Sequence, residues 1–122
     1  MTRGVEGERT LMRVFIGEDD KCPAGPHRGN PLYEAILLTL RENGVAGATV
    51  LRGIAGFGAS AQIHTDKILR LSLDLPMIIE VVEQESVIQE ILPILDPLIG
   101  GGLITLEKAR VVLYRTSDST SE

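Results

Sequence analysis

Apolar residues along this chain switch spacing in a repeating order: a β-type run, a helical stripe, a β-type run, and then the same three again. Residues 10–16 (TLMRVFI) are apolar, partly β-branched and end at Gly17, which predicts a first strand. Leu32, Tyr33, Ile36, Leu37 and Leu40 recur at three- and four-residue steps and predict a helix, opened by Asn30-Pro31 and stopped by Gly44. Residues 48–54 (ATVLRGI) read as a second strand broken by Gly53, and residues 75–83 (LPMIIEVVE) as a third. Ser86 with Gln89 matches a capping box, and Val87, Ile88, Ile91, Leu92 and Leu95 form the face of a second helix. Pro93 falls inside that helix and predicts a kink or division near Ile91, because proline removes a backbone bond. Residues 103–106 and 109–114 complete the order as a closing strand, interrupted at Glu107-Lys108.

Strand, helix, strand, strand, helix, strand is the split arrangement of the ferredoxin-like fold. The expected class is therefore α+β: a βαββαβ sandwich with an antiparallel four-stranded sheet and two helices on one face. Residues 1–9 read as a flexible polar lead, 10–116 as a single domain and 117–122 as a disordered tail. Residues 17–29, rich in glycine, proline and charge, read as a long, exposed, moving loop. Residues 59–73 read as a loop with short structure at most. Two helices cover one sheet face only, yet strands such as 77–82 are almost continuously apolar, so the other face needs cover. Identical chains are the cheapest cover, and three sheets facing a common axis would supply it, so homo-oligomerisation is expected.

Composition limits the function. The 122 residues, 43% of them apolar and 24% charged, suit one globular domain that folds without disulfides or metals. Twelve basic against 17 acidic residues give −5, the wrong sign for a general nucleic-acid binder. Charges interrupt every apolar stretch before the roughly 18 residues that a bilayer span requires, so no direct membrane insertion is expected. Cys22 has no second cysteine to pair with, and acids stand in the first ten residues, which suggests a cytoplasmic protein.

Few constellations favour catalysis. Gly56-Phe57-Gly58-Ala59-Ser60-Ala61 fits G-x-G-x-x-A, but no helix is expected after it, and the acid about 20 residues on is Glu80 inside a strand. Gly100-Gly101-Gly102 lacks the lysine of a P-loop. Cys22 and His27 share one loop, and His64 and Asp66 another, without the paired spacing of a closed metal site, so no metal is assigned. No serine elbow or cysteine–histidine pair supports a nucleophile, so no catalytic residue is assigned. Bare amides at residues 53–58 could approach phosphate oxygens, or form only a glycine bulge. Arg52, Lys67, Arg70, Arg110 and Arg115 are the cations available to an anion, and Arg52 is the candidate phosphate contact.

Gly44-Val45-Ala46-Gly47-Ala48-Thr49-Val50, then Gly56-Phe57-Gly58, then His64-Thr65-Asp66 resemble, in order, the start of the second strand, the G-F-G turn and the H-T-acid segment of the PII-like signalling proteins. The resemblance extends over residues 12–115 and is closest to the small branch of that superfamily from Pro31 to Val82, including Leu51-Arg52-Gly53 and Leu75-Pro76. It implies a homotrimeric sensor, not an enzyme, that binds an adenine nucleotide between subunits and controls a partner through a flexible loop. By the same resemblance, Gly56, Phe57 and Gly58 from one subunit and Gly101 and Gly102 from the next would hold the ligand, with Thr49 near the base. Gln62, His64, Thr65, Asp66 and Lys67 would lie in the partner-contacting loop, and ligand would order residues 57–70. A membrane transporter or channel is the kind of partner such proteins control.

The departures matter. One extra residue separates Thr49 from Gly56, and Leu103 stands where the better-known PII proteins carry a lysine after the glycine loop. Val111 and Leu113 replace paired arginines, and no tyrosine for uridylylation occurs in 59–73. ATP, ADP, AMP and cyclic AMP stay open as effectors, the losses fitting a monophosphate, a cyclic nucleotide or a cleft without ligand. The competing reading is a structural or metal-responsive trimer of the CutA kind, which uses no nucleotide.

Overall fold

The computed structural model describes residues 6–57 and 74–117. Its elements are β1 (Gly7–Gly17), α1 (Leu32–Glu42), β2 (Thr49–Arg52), β3 (Pro76–Glu83), α2 (Glu85–Leu95), a 3-10 turn (Asp96–Leu98) and β4 (Leu103–Val111). All strand pairs are antiparallel, in the order β2-β3-β1-β4. This is the expected α+β ferredoxin-like sandwich, a four-stranded sheet with two helices.

Strand alternation builds the core. Met12, Val14 and Ile16 of β1 and Met77, Ile79 and Val81 of β3 point to one face and are buried against Leu32, Ile36 and Leu40 of α1 and Ile88, Ile91 and Leu95 of α2. Full burial of such an aliphatic side chain contributes about 1.5–3 kcal/mol. Gly44, at φ +80°, stops α1 in a conformation that side chains disfavour.

The opposite face carries Leu51, Ile78, Val82, Leu11, Phe15, Leu103 and Val111, aligned by the strand registers. No described helix covers it. Leu51 and Leu103 are 45% and 56% exposed, so the apolar face expected to need cover is present on the single chain.

Several local expectations require correction. Gly7 to Arg9, placed in the flexible lead, belong to β1 and pair with Val111, Arg110 and Ala109. The loop after β1 is exposed over most of its length, as expected, but it is tied down at Cys22, which is buried: its N–H donates to Asn30 O at 2.8 Å, and Gly29 N–H donates to Cys22 O at 2.9 Å. Pro31, not Asn30, is the residue before α1, with no side-chain cap. β2 occupies residues 49–52 rather than 48–54: opposite Pro76, Gly53 donates its N–H to the proline carbonyl, but proline has no N–H to return the bond, so the ladder stops.

The Ser86 capping box is absent, since α2 begins earlier and Gln84 is its cap residue. Glu85 instead accepts bonds from Thr10 of β1 and Gln89. α2 passes Pro93 undivided; Gln89, which loses a bond to that proline, is exposed and so open to water. β4 continues through Glu107 and Lys108, its polar stretch matched by Arg13 of β1, and ends at Val111 rather than Tyr114. The loop expected over residues 59–73 lies outside the described residues, as do residues 118–122 of the tail.

Candidate functional site

Glycine turns occupy two edges of the same sheet end. That end is where β2 and β1 finish and β3 and β4 begin. At the β2 edge, Gly53 donates its N–H to Pro76 O at 2.7 Å. A Cβ on Gly53 would stand 2.5 Å, and one on Gly56 3.0 Å, from the Pro76 ring carbon Cγ. The turn thus needs bare backbone to lie on the proline, and Phe57 beyond it is 70% exposed.

At the β4 edge a Cβ on Gly102 would meet Phe15 O at 2.6 Å, whereas one on Gly101 would meet nothing within 4 Å. Gly102 is therefore required by the fold, and Gly101 is free to face a ligand. Between these edges lie three inter-strand steps, about 14 Å in all. The two turns of one chain therefore stand on opposite edges of the sheet.

Thr49 lies at the other end of β2, about 10 Å from Arg52 along the strand. It lines a groove of about 490 Å³ that crosses the uncovered sheet face, with Leu11, Val82, Glu80, Val111 and Tyr114. Residues 46–48 form its rim, and Glu83 fixes them: its buried carboxylate accepts from Ala46 N–H at 2.7 Å and from Gln84 N–H at 3.2 Å. Tyr114 is held by its N–H donating to Glu6 at 3.0 Å. Neither Glu83 nor Tyr114 stood out in the sequence. Glu83 had one available signal, being the only acid on the inward alternation Met77, Ile79, Val81, Glu83.

Charge on this face centres on Arg13, which contacts Glu80 at 2.9 Å and Glu107 at 3.3 Å. The Glu80 hydrogen bond, with Glu107 assisting, pushes its already high pKa further up, so it stays cationic. Arg52 is also engaged, its Nη2 lying 2.8 Å from Glu18 Oε2 and 3.0 Å from Oε1. His27, in the folded loop, contacts Glu42 of α1 at 2.9 Å. Among the described residues no group of three or more acid, histidine or cysteine side chains is placed to hold a metal. Nor is any described helix long and apolar enough to cross a membrane.

Of the residues singled out in the sequence, Thr49, Arg52, Gly56, Phe57, Gly101 and Gly102 are described, and no single-chain site unites them. Gly58, Gln62, His64, Thr65, Asp66 and Lys67 lie outside the described residues.

A family model described as DUF190, Uncharacterized ACR, matches residues 9–111. A UPF0166 protein of Aquifex aeolicus is 35% identical over 107 residues, 86% of this chain and 94% of that protein. A UPF0166 protein of Methanocaldococcus jannaschii is 36% identical over 102 residues, covering 83% and 89%. Among solved structures, CPII from Thiomonas intermedia K12 bound to ADP and bicarbonate is similar at TM-score 0.60 and 17% identity, covering 85% of this chain and 88% of that one. A putative PII-like signaling protein from Thermus thermophilus is similar at TM-score 0.57 and 16% identity, covering 87% and 91%.

Proposed function

The chain belongs to the DUF190 family, whose fold is that of the PII-like signalling proteins, and from that premise we propose that it is a PII-like regulatory protein rather than an enzyme. It acts as a cytoplasmic homotrimer that binds an adenine nucleotide in the clefts between subunits. The working unit begins with β1 at Gly7 and runs to residue 116. The single observation that carries this reading is the separation of the glycine turns, at one end of the sheet but on opposite edges. Two such edges meet only when a second copy brings its β4 beside the first copy's β2, and the uncovered apolar face favours that association.

In this arrangement Gly56, Phe57 and Gly58 of one subunit face Gly101 and Gly102 of the next, and Thr49 with its groove takes the base. Support for the ligand class comes from the similar CPII, which was solved with ADP, AMP and bicarbonate. Occupancy changes the surface that residues 57–70 present, through Gln62, His64, Thr65, Asp66 and Lys67, to a protein partner such as a membrane transporter or channel. The change cannot exceed the ligand's differential affinity for the two states.

Sedimentation of the full chain with and without nucleotide, together with thermal melts, tests the reading. A trimer whose melting point rises with an adenine nucleotide is expected, since a ligand selective for the native state stabilises it. A folded monomer overturns it. So does a trimer stabilised by copper or zinc and by no nucleotide, the behaviour of a CutA-like protein.

A further inference from the structure

β4 ends its pairing at Val111, opposite Gly7, yet the chain runs on past the sheet through residues 112–117. Two apolar side chains open this arm, Val112 at 83% and Leu113 at 57% exposed on the single chain. The next residue does not follow them into solvent: Tyr114 is half-buried, and its N–H donates to Glu6 at 3.0 Å. The arm is thus tied to its own subunit just after an exposed apolar pair that asks for cover.

A recess of matching character lies at the opposite edge of the sheet. Leu37, Leu38 and Leu40 of α1 and residues 45–48, which lead into β2, line a second groove of about 400 Å³, with Arg41 the one charged side chain in its wall. Its own arm leaves from the far edge, beyond β3 and β1, so the groove is open to a neighbour's.

Strand direction brings arm and groove together. β2 runs toward the glycine turns and β4 away from them, so a second copy's β4, set beside β2 with the turns together, is antiparallel to it. With that copy's Leu103 against Gly53, its Val111, eight residues on, lies against Val45, eight residues back. Val112 and Leu113 then reach the last turn of α1, whose leucines form the groove.

We infer that Val112 and Leu113 of each subunit seat in the α1 groove of the next, as an exchanged arm that latches neighbouring subunits. This rests on the homotrimer proposed above and adds the contact that orders its subunits. Each chain carries one arm and one groove on opposite edges, so the contact is head-to-tail and repeats until a ring closes.

A Leu38→Cys/Leu113→Cys variant of the full chain, treated with a short bismaleimide, tests it. Covalently linked dimers and trimers are expected on a denaturing gel, where the parent, whose Cys22 is buried, and each single variant give none. Leu113→Asp, at a position exposed on the single chain, should leave the subunit folded and raise the protein concentration at which trimers dissociate by at least about tenfold, because a carboxylate must then enter an apolar groove. A trimer whose double variant gives no more linked chain than the single ones, or whose dissociation Leu113→Asp leaves unchanged, overturns the inference and leaves the trimer reading intact. A parent chain that sediments as a folded monomer overturns both. The dissociation series decides alone should the double variant not fold.

Discussion

Gly53 and Pro76 are locked together: the glycine N–H donates to the proline carbonyl at 2.7 Å, and there is no room for a Cβ beside the ring, whose Cγ would lie 2.5 Å away. The turn leaving β2 is shaped by this contact before any ligand arrives. Gly53→Ala should lower stability by about 1–3 kcal/mol, the usual cost of overpacking. Pro76→Ala in the same chain removes the ring and should recover part of that loss, a coupling that urea unfolding of the four variants would measure.

Gly101 and Gly102 should separate cleanly. Alanine at position 102 would press on Phe15 O, so Gly102→Ala should destabilise by about 1–3 kcal/mol. Gly101→Ala meets open space and should stay within about 0.5 kcal/mol of the parent in thermal or urea unfolding. Any fall in nucleotide affinity on Gly101→Ala then reports contact with ligand, not damage to the fold.

The outline of the fold was legible because it rests on alternation and helical spacing, which are local. Met12, Val14, Ile16 and Ile36, Leu40 announce their buried faces without reference to the rest of the chain. What was not legible depends on distant partners. Glu107 and Lys108 suggest a break until Arg13 of the neighbouring strand is placed beside Glu107, and the start of α2 depends on Thr10, 75 residues from Glu85. In the candidate site, glycines mark the turns but not their reasons, which are Pro76 and Phe15 O. Arg52 reads as an unpaired cation until Glu18, 34 residues earlier, is placed beside it.

Glu83 connects the groove rim to the sheet. Replacing it by alanine removes the acceptor of the half-buried Ala46 N–H, and losing a hydrogen bond that water can partly replace costs about 0.5–1.5 kcal/mol. Glu83→Ala should therefore lower stability by that order and speed amide exchange at Ala46. Glu83→Gln keeps the size and one acceptor oxygen, so its effects should be smaller. Equal exchange rates at Ala46 in all three proteins would remove Glu83 from this role.

Thr10 donates to Glu85 Oε1 at 2.5 Å, and this bond, with that of Gln89, lowers the Glu85 pKa below the ordinary glutamate value. The sign of the pH effect follows. A carboxylate whose pKa is depressed by folding contributes stability that is present above its unfolded pKa and lost as pH falls through the folded one. Thr10→Val should therefore cost stability at neutral pH, with the difference from the parent shrinking on acidification through and below the ordinary glutamate range. Urea melts of both proteins across that range measure it, and a difference independent of pH would assign the loss to packing of the hydroxyl's site instead.

Ile78 sits on the uncovered face of β3, opposite Phe15 of β1 and Leu51 of β2, and is half-buried on the single chain. A charge there would cost little in an isolated subunit, since one side of the residue already faces solvent. It would cost far more in a trimer, where the same face is closed by sister chains and an unpaired carboxylate must leave water. Ile78→Glu should accordingly yield a folded protein that sediments as a smaller species than the parent and loses the nucleotide-induced rise in melting point, because the proposed cleft needs two subunits. Ile78→Val, which preserves the apolar contact, should keep both assembly and ligand response. A fully trimeric Ile78→Glu protein would mean that the subunits associate by some other surface, and the glycine turns of neighbouring copies would then have no reason to meet.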